Sequence, residues 1–292
     1  MTEPDLCRRL ARAQGVVVDV DGCLILSDQP AGHGGTPLTG AVEAVHAVRA
    51  GGRRVVAFTN ASSRTPAEIA RSLDELGFGF GDRDVLTPSV VAARVLLQRF
   101  GDKPILAFGG HGLFEVLREA GVRLASPGDG DAVAAVVAGW DIAFDEPKLQ
   151  AAAEAVWRGA PLLVTSDAPA FAIRGRRAAG VAGFIANGLA HVTGVEYEVL
   201  GKPSALAAAT AAERLGVAPD RMLVVGDDLT LEVAMARRAG GVGVLVTTGL
   251  NSRSDALAAP PQSRPDLVVD GLGELVDALD RADRCGQATV AG

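Results

Sequence analysis

Short apolar runs alternate along the chain with longer stretches in which apolar residues recur at helical spacing. The runs Gly15–Val18, Arg54–Phe58 and Met222–Val225 are rich in valine and other aliphatic residues, and polar residues follow each of them. Four or five apolar residues bounded by turn signals are typical of strands buried on both faces of a parallel sheet. These three runs therefore predict central strands of an α/β fold.

Helical patterns follow the first two of these runs. Valines recur at helical spacing from Val42 to Val48, and Gly51–Gly52 end that helix. A second helix is predicted from Pro66, with Thr65 as its N-cap. Strands and helices that alternate at this pace indicate βαβ units and a parallel sheet.

The alternation restarts at about Leu86 and continues to about Glu196. In this block the pattern predicts helices around Val91–Leu96, Leu113–Ala120 and Pro147–Trp157, and strands at Ile105–Phe108, Ala132–Ala138 and Leu162–Thr165. We interpret residues 86–196 as an inserted α/β domain. A Rossmann-like core with a parallel sheet is then divided into residues 1–85 and 197–292.

The last third of the chain returns to the pattern of the first. A helix is predicted after Ser204 and through Leu215 and another over Leu229–Ala239, with strands at Val242–Val246 and Leu267–Val269. Beyond Arg281 the sequence has no periodic pattern, and we expect that tail to be loosely held.

Composition excludes several classes of function. The chain of 292 residues is 48% hydrophobic and 22% charged, as in folded globular proteins. A net charge of −7 without a basic stripe argues against nucleic acid as the main partner. No segment resembles a signal peptide or membrane helix, and three cysteines without C-x-x-C spacing favour a reducing compartment. We therefore expect a cytoplasmic protein with no membrane partner.

Polar residues stand where each of the three predicted central strands ends. Asp19 and Asp21 follow the first strand, Thr59 and Asn60 the second, and Asp227 the third. Because the carboxyl ends of parallel strands lie at one edge of a sheet, we expect these residues to converge there.

The residue types at this edge indicate a cation and a phosphoryl group. Asp19 and Asp21 repel each other unless a cation lies between them or one keeps its proton. Carboxylates without a histidine or thiolate cluster favour a hard cation, most of all Mg²⁺. Lys202 is one of three lysines among 28 basic residues, the others being Lys103 and Lys148. Because the other basic residues are mostly arginine, the choice of a compact ammonium group at position 202 indicates a contact with phosphate and carboxylate.

Each candidate also has a purely structural interpretation. Asp21 with Gly22 can form a turn after the strand, Thr59 can cap a helix, and an isolated lysine is usually at the surface. Asp228 can begin a helix, and Glu232, one turn later, is expected on a solvated face. Cys23 has no histidine or lysine near it in sequence and is expected to be a small buried apolar residue.

The motifs together resemble a known family. They are, in order, Asp19-Val20-Asp21, Thr59-Asn60, Gly201-Lys202-Pro203-Ser204 and Gly226-Asp227-Asp228, followed by Val246-Thr247-Thr248-Gly249. With them the chain resembles the phosphatases of the haloacid dehalogenase (HAD) superfamily, in the NagD-like, nitrophenylphosphatase branch with a C2-type α/β cap. The resemblance implies an inserted cap domain, dependence on Mg²⁺, and a homodimer formed through the cap.

Roles for the acidic residues come from this resemblance. It implies that Asp19 is the nucleophile that forms an aspartyl-phosphate, and that Asp21 is the acid/base whose backbone carbonyl binds Mg²⁺. Asp227 is the implied carboxylate ligand of the metal, with Asp228 or Glu232 in support. The branch usually has aspartate at position 232 and a basic or polar residue at 228, so the second acid of this motif is open.

The resemblance assigns the remaining site residues in the same way. Thr59 and the backbone of Asn60 would hold the phosphoryl oxygens, and Lys202 would neutralise both nucleophile and phosphoryl group. Asp167 is a candidate for substrate contact in the cap, with a turn as its alternative. The cap sequence Thr165–Pro169 departs from the Thr-Asn-Pro-Asp of the branch, and Cys23 replaces a usual Thr or Val.

We therefore expect a Mg²⁺-dependent phosphatase for a small phosphomonoester of the sugar, glycerol, glycolate or nucleoside monophosphate class. Two alternatives stay open at this point. A phosphotransferase or mutase of the same superfamily would give a phosphorylated acceptor instead of free phosphate. A decayed nucleotide-binding module would bind ligand without turnover.

Overall fold

The fold contains two separate parallel sheets. The computed structural model describes residues 2–29, 34–128 and 132–290. The strands are β1 (Gly15–Val18), β2 (Ile25–Leu26), β3 (Thr36–Pro37), β4 (Arg54–Phe58), β5 (Val85–Leu86), β6 (Ile105–Phe108), β7 (Leu124–Ala125), β8 (Ala135–Ala138), β9 (Leu162–Val164), β10 (Ala170–Ile173), β11 (Arg176–Ala179), β12 (Tyr197–Val199), β13 (Met222–Gly226), β14 (Val242–Val246) and β15 (Leu267–Val269).

The helices alternate with these strands over most of the chain. They are α1 (Glu3–Ala11), α2 (Ala41–Ala50), α3 (Pro66–Glu75), α4 (Pro88–Phe100), α5 (His111–Glu119), α6 (Glu146–Trp157), α7 (Val181–Thr193), α8 (Ala205–Leu215), α9 (Ala234–Ala239), α10 (Arg253–Ala258) and α11 (Leu272–Val290). Thr65 caps α3 as predicted, because its side chain accepts from the Glu68 amide while Glu68 accepts from the Thr65 amide.

The first sheet has the order β15-β14-β13-β1-β4-β5, and all of its neighbours are parallel. Alternate residues of its central strand enter different cores, Val16 and Val18 on one face and Val17 on the other. Both faces are therefore buried, which explains why the strand is uniformly apolar. The predicted α/β class with a parallel sheet is confirmed.

The second sheet has the order β12-β9-β8-β6-β7 and is also parallel throughout. Its strands all lie in the chain between β5 and α8, as expected for an insertion. On one face, Ile105 and Ala107 share a core with α4 and with α8 of the first unit; on the other, Leu106 and Phe108 pack against α6 and α7. The domain limits at residues 86 and 196 stay a prediction.

The helix predicted over residues 229–239 is present, and its first part, Leu229–Val233, is a π-type turn before α9. One local expectation was wrong. The stretch beyond Arg281 continues α11, with Ala282 buried against the first core, because α11 packs along α1 and α2. Among the described residues, no helix is long and apolar enough to cross a bilayer.

Candidate active site

The three predicted strand ends meet at one edge of the first sheet. β1 lies between β13 and β4, so Asp19, Thr59 and Asp227 follow three adjacent strands. The Asp19 amide continues the ladder beyond β1 by donating to the Val225 carbonyl at 2.9 Å. All three side chains are buried and line the same pocket. The structure thus brings together the residues that the sequence placed at strand ends.

Lys202 reaches this edge from the segment before α8. Its side chain is 1% exposed, and its Nζ lies 2.5 Å from Asp19 Oδ1 and 2.6 Å from Glu232 Oε1. The ammonium also donates to the Phe58 carbonyl at 2.7 Å. Lys202 is therefore a buried cation held by anionic and carbonyl oxygens, and the interpretation as a surface lysine is wrong.

Asn60 fixes the backbone of Lys202. The Asn60 amide nitrogen donates to the Lys202 carbonyl at 3.1 Å, and its Oδ1 accepts from the Lys202 amide at 3.0 Å. Both polar atoms of the Asn60 side chain are therefore engaged by the backbone of Lys202. Thr59 Oγ1 accepts from the Ala61 amide at 3.1 Å, so it also supports the turn after β4 while lining the pocket.

Three carboxylates face one another beside the lysine. Oxygens of Asp19, Asp227 and Glu232 lie within 4.8 Å of one another, the one such group of three acidic, histidine or cysteine ligands among the described residues. The expectation of a solvated Glu232 is wrong, because its side chain is 1% exposed. Glu232 lies in the π-type turn, and its Oε2 accepts from the Asp228 amide at 3.2 Å.

Burial and mutual repulsion make these acids hard to ionise together. Burial first, and then the charges of Asp19 and Glu232, raise the pKa of Asp227 well above its ordinary value. Burial raises the pKa of Glu232 to about 7 although Lys202 opposes the shift. Burial alone would lower the pKa of Lys202, but the charges of Asp19 and Glu232 outweigh the effect of burial, so the pKa of Lys202 is raised. A divalent cation would relieve this repulsion, and an all-oxygen donor set fits Mg²⁺.

Asp21 is a half-buried member of the same pocket. Its Oδ1 accepts a short hydrogen bond from the buried Ser27 hydroxyl. Burial raises its pKa to about 6; the Ser27 hydrogen bond lowers it and the Asp19 charge raises it. A carboxyl with this pKa can both give and take a proton near neutral pH.

The loop after β14 holds Asp227 in place. The Leu250 amide donates to Asp227 Oδ2 at 2.7 Å, and the Asn251 amide donates to the Asp227 carbonyl at 3.1 Å. Asp228 is used differently, since its Oδ1 accepts from the amide and hydroxyl of Thr230, both at 2.7 Å. Asp228 therefore caps the following turn, as the structural interpretation expected, and is not part of the group of three carboxylates.

Residues of the inserted unit cover the pocket. Its space is about 700 Å³, counting the part open to solvent, and the inserted unit contributes these lining residues: Trp140, Ser166, Ala168, Ala170, Phe171, Ala172, Gly180, Ala182 and Gly183. The Trp140 and Phe171 rings meet edge to face, with centroids 5.6 Å apart. Asp167 is not among the lining residues, although Ser166 and Ala168 on either side of it are.

A hairpin formed by β10 and β11 joins this cover to the first unit. At its turn, Arg174 Nε donates to Asp28 Oδ1 at 2.6 Å and its Nη2 donates to Thr36 Oγ1 at 2.9 Å. The Arg174 amide also donates at 2.8 Å to the carbonyl of Ser27, the residue whose hydroxyl donates to Asp21. The hairpin is thus hydrogen-bonded to residues that follow β2 and to Thr36 of β3.

Sequence reasoning missed Ser27, the aromatic pair and the hairpin. The hairpin has only a weak signal in the sequence: Gly175, at φ 73°, permits a two-residue turn, but Arg174 before it is not one of the residues that favour such turns. Trp140 and Phe171 carry no such signal, because only the tertiary fold brings them to the pocket.

Comparisons with known proteins agree with this geometry. A family model described as haloacid dehalogenase-like hydrolase matches residues 16–123, and one described as HAD-hydrolase-like matches residues 199–275. Chronophin of Rattus norvegicus is 33% identical over 283 residues, covering 92% of this chain and 89% of chronophin.

Two solved structures share the fold over most of the chain. A 4-nitrophenylphosphatase from Thermotoga maritima is 28% identical with a TM-score of 0.82, covering 92% of this chain and 98% of that one. A glycerol phosphate phosphatase from Mycobacterium tuberculosis, solved in complex with magnesium, is 29% identical with a TM-score of 0.80, covering 93% of this chain and 78% of that one.

Proposed function

The chain belongs to the haloacid dehalogenase-like hydrolase family and is a phosphatase of that family; from this premise we propose that it uses Mg²⁺ to hydrolyse a small phosphomonoester through an aspartyl-phosphate. The observation that carries the proposal is the burial of three carboxylates and one lysine at a single sheet edge. Burying four ionisable groups costs free energy, and such an arrangement is typical of a site that binds a cation and a charged substrate.

Asp227 and Glu232 would hold Mg²⁺ together with an oxygen of Asp19 and the backbone carbonyl of Asp21. The raised pKa values of Asp227 and Glu232 support this assignment, because burial and neighbouring negative charges raise them and a bound cation would offset that repulsion. When bound, the ion supplies positive charge for the phosphoryl oxygens.

In the first step an Asp19 carboxylate oxygen attacks phosphorus and the bond from phosphorus to the leaving oxygen breaks. Asp21 has a pKa of about 6, and its protonated form gives the proton to that oxygen, which departs as the alcohol. Lys202 holds Asp19 through the 2.5 Å contact and offsets charge on the phosphoryl oxygens. Thr59 lies at the same edge and contributes a hydroxyl to them.

In the second step water attacks the phosphorus of the aspartyl-phosphate. Asp21, now ionised, accepts the proton of that water, and Asp19 leaves as a carboxylate with inorganic phosphate as product. The cover formed by the inserted unit limits the access of bulk water during both steps.

The pocket favours a compact substrate with an uncharged leaving group. The part contributed by the inserted unit is made of alanine, glycine and aromatic side chains, with Ser166 as its hydroxyl. Among the described lining residues the cationic side chain is Lys202, which Asp19 and Glu232 already engage. The homodimer through the cap stays a prediction.

Phosphate release from a panel of phosphomonoesters tests the proposal. We expect turnover with Mg²⁺ that EDTA abolishes, and a loss of at least about a thousandfold in kcat for Asp19→Asn. Asp74→Asn is the matched control, since Asp74 lies exposed on α3. Turnover that survives in a folded Asp19→Asn variant would contradict the proposal.

A further inference from the structure

The first and last helices of the structure bring two cysteines together. Leu6 and Cys7 of α1 pack against a core that contains Ala278 and Ala282 of α11. One turn further along α11, the Cys285 side chain is hydrogen-bonded to the Cys7 side chain. Only three cysteines occur in the whole chain, and two of them meet across this helix pair.

The two thiols are accessible from solvent. Cys285 is exposed and Cys7 is half-buried, and both line a cleft between α1 and α11. The third cysteine, Cys23, is 1% exposed beside the active site. An oxidant in solution can therefore reach the Cys7–Cys285 pair without entering the core.

A metal site is the other chemistry that two adjacent thiols can offer. Structural zinc takes four ligands, which include cysteine, histidine or carboxylate. Glu3 lines the same cleft, but among the described residues it does not form a group of three ligands with Cys7 and Cys285. The geometry therefore favours thiol oxidation over metal binding.

We propose that Cys7 and Cys285 are a redox modification site at which a hydroperoxide forms a reversible disulfide between α1 and α11. The Cys285 thiolate attacks a peroxide oxygen, the O–O bond breaks, and Cys285 becomes a sulfenic acid with release of water or alcohol. The Cys7 sulfur then attacks the Cys285 sulfur and expels water. Two thiols lose two hydrogen atoms and two electrons, which reduce the peroxide.

The order of the two attacks follows from exposure. Cys285 is the more accessible sulfur, whereas burial and the neighbouring Cys285 and Glu3 raise the pKa of Cys7. Cys7 is therefore suited to resolve the sulfenic acid formed beside it rather than to meet peroxide first. A thiol reductant restores both cysteines, as expected for a labile disulfide in a reducing compartment.

The disulfide would join positions far apart in sequence. A crosslink that closes so long a loop restricts the unfolded chain strongly, so oxidation should raise the melting temperature by about 5 °C or more. This inference does not depend on the phosphatase activity, because neither cysteine lines the active-site pocket.

Treatment of the full chain with hydrogen peroxide at low protein concentration tests it. We expect the free thiols, counted after denaturation, to fall from three to one without any disulfide between two chains. Trypsin should then release the peptide Met1–Arg8 linked to the peptide that begins at Cys285, and dithiothreitol should separate them. The melting temperature should rise with the crosslink and fall back on reduction.

Cys7→Ser and Cys285→Ser are the matched variants. Both should release phosphate like the reduced wild type, form no crosslink, and show no rise in melting temperature with peroxide. The proposal is overturned if Cys285 becomes a sulfinic acid or an intermolecular disulfide while Cys7 stays a thiol. It is equally overturned if the linked peptide contains Cys23, or if all three thiols survive peroxide.

Discussion

Replacing Lys202 with methionine removes the ammonium that faces the buried carboxylates while keeping an unbranched side chain of similar length. In the native site Nζ contacts Asp19 at 2.5 Å, Glu232 at 2.6 Å and the Phe58 carbonyl at 2.7 Å. With methionine, all three oxygens lose that donor in a region closed to water. The carboxylates can then escape their repulsion only by binding protons or metal.

The size of the effect follows from burial. Removing one partner of a buried ion pair costs about 3–5 kcal/mol. Since Lys202 serves two carboxylates and is 1% exposed, we expect a loss of about 4 kcal/mol in metal-free buffer at pH 7. With an m-value of about 3 kcal/mol/M, the urea midpoint would fall by more than about 1 M. Phosphate release should fall by at least about a hundredfold.

Urea unfolding in EDTA and phosphate release with Mg²⁺ are the assays, with Lys103→Met as the control because Lys103 is exposed. Adding Glu232→Gln to Lys202→Met removes one unpaired carboxylate, so part of the lost stability should return while activity does not. If Lys202→Met unfolds at the wild-type midpoint, Lys202 is not the counter-ion described here and the reasoning is refuted.

Three further outcomes are expected. Ser27→Ala removes a hydrogen bond that lowers the pKa of Asp21, so this pKa should rise and the decrease of kcat/KM above about pH 6 should move to higher pH. An unchanged pH profile would show that Ser27 does not lower the pKa of Asp21. Without metal, the free energy of unfolding should decrease from pH 5 to pH 8 by about 3 kcal/mol, because the pKa of Glu232 is about 7 in the folded protein against 4.5 unfolded. Mg²⁺ should reverse that decrease, and a flat pH dependence in EDTA would contradict the assignment. Arg174→Ala should raise KM several-fold with little change in melting temperature, since its ion pair is half-exposed, whereas Arg158→Ala, just after α6, should change neither. Equal KM values for Arg174→Ala and the wild type would exclude a role of the hairpin contact in substrate binding.

Much of the site could be predicted because strand order alone brings it together. Asp19, Thr59 and Asp227 each follow an apolar run that can be recognised by its composition, and parallel pairing places those ends at one edge. Lys202 lies between β12 of the second sheet and α8, so strand order in the first sheet does not place it, and the rarity of lysine among the basic residues was the signal that singled it out.

Other features depend on geometry that periodicity does not encode. Glu232 was expected in solvent because it lies one helical turn after Asp228 and no apolar periodicity marks it as buried; the fold instead places it in contact with the buried Lys202. The roles of Asn60 and Ser27 depend on partners that the fold supplies, the Lys202 backbone and Asp21. Short strands such as β10, with an arginine turn, give too weak an alternation to be recognised.

The central claim is that Asp19 accepts the phosphoryl group. Asp21→Asn removes the base of the second step, yet 4-nitrophenolate leaves without needing a proton, so an intermediate should accumulate from 4-nitrophenyl phosphate with Mg²⁺. After rapid quenching, borohydride reduction should convert Asp19 to homoserine in the tryptic peptide Ala13–Arg49, dependent on substrate. Reduction at another residue, or none during a measured burst of nitrophenol, would contradict the account.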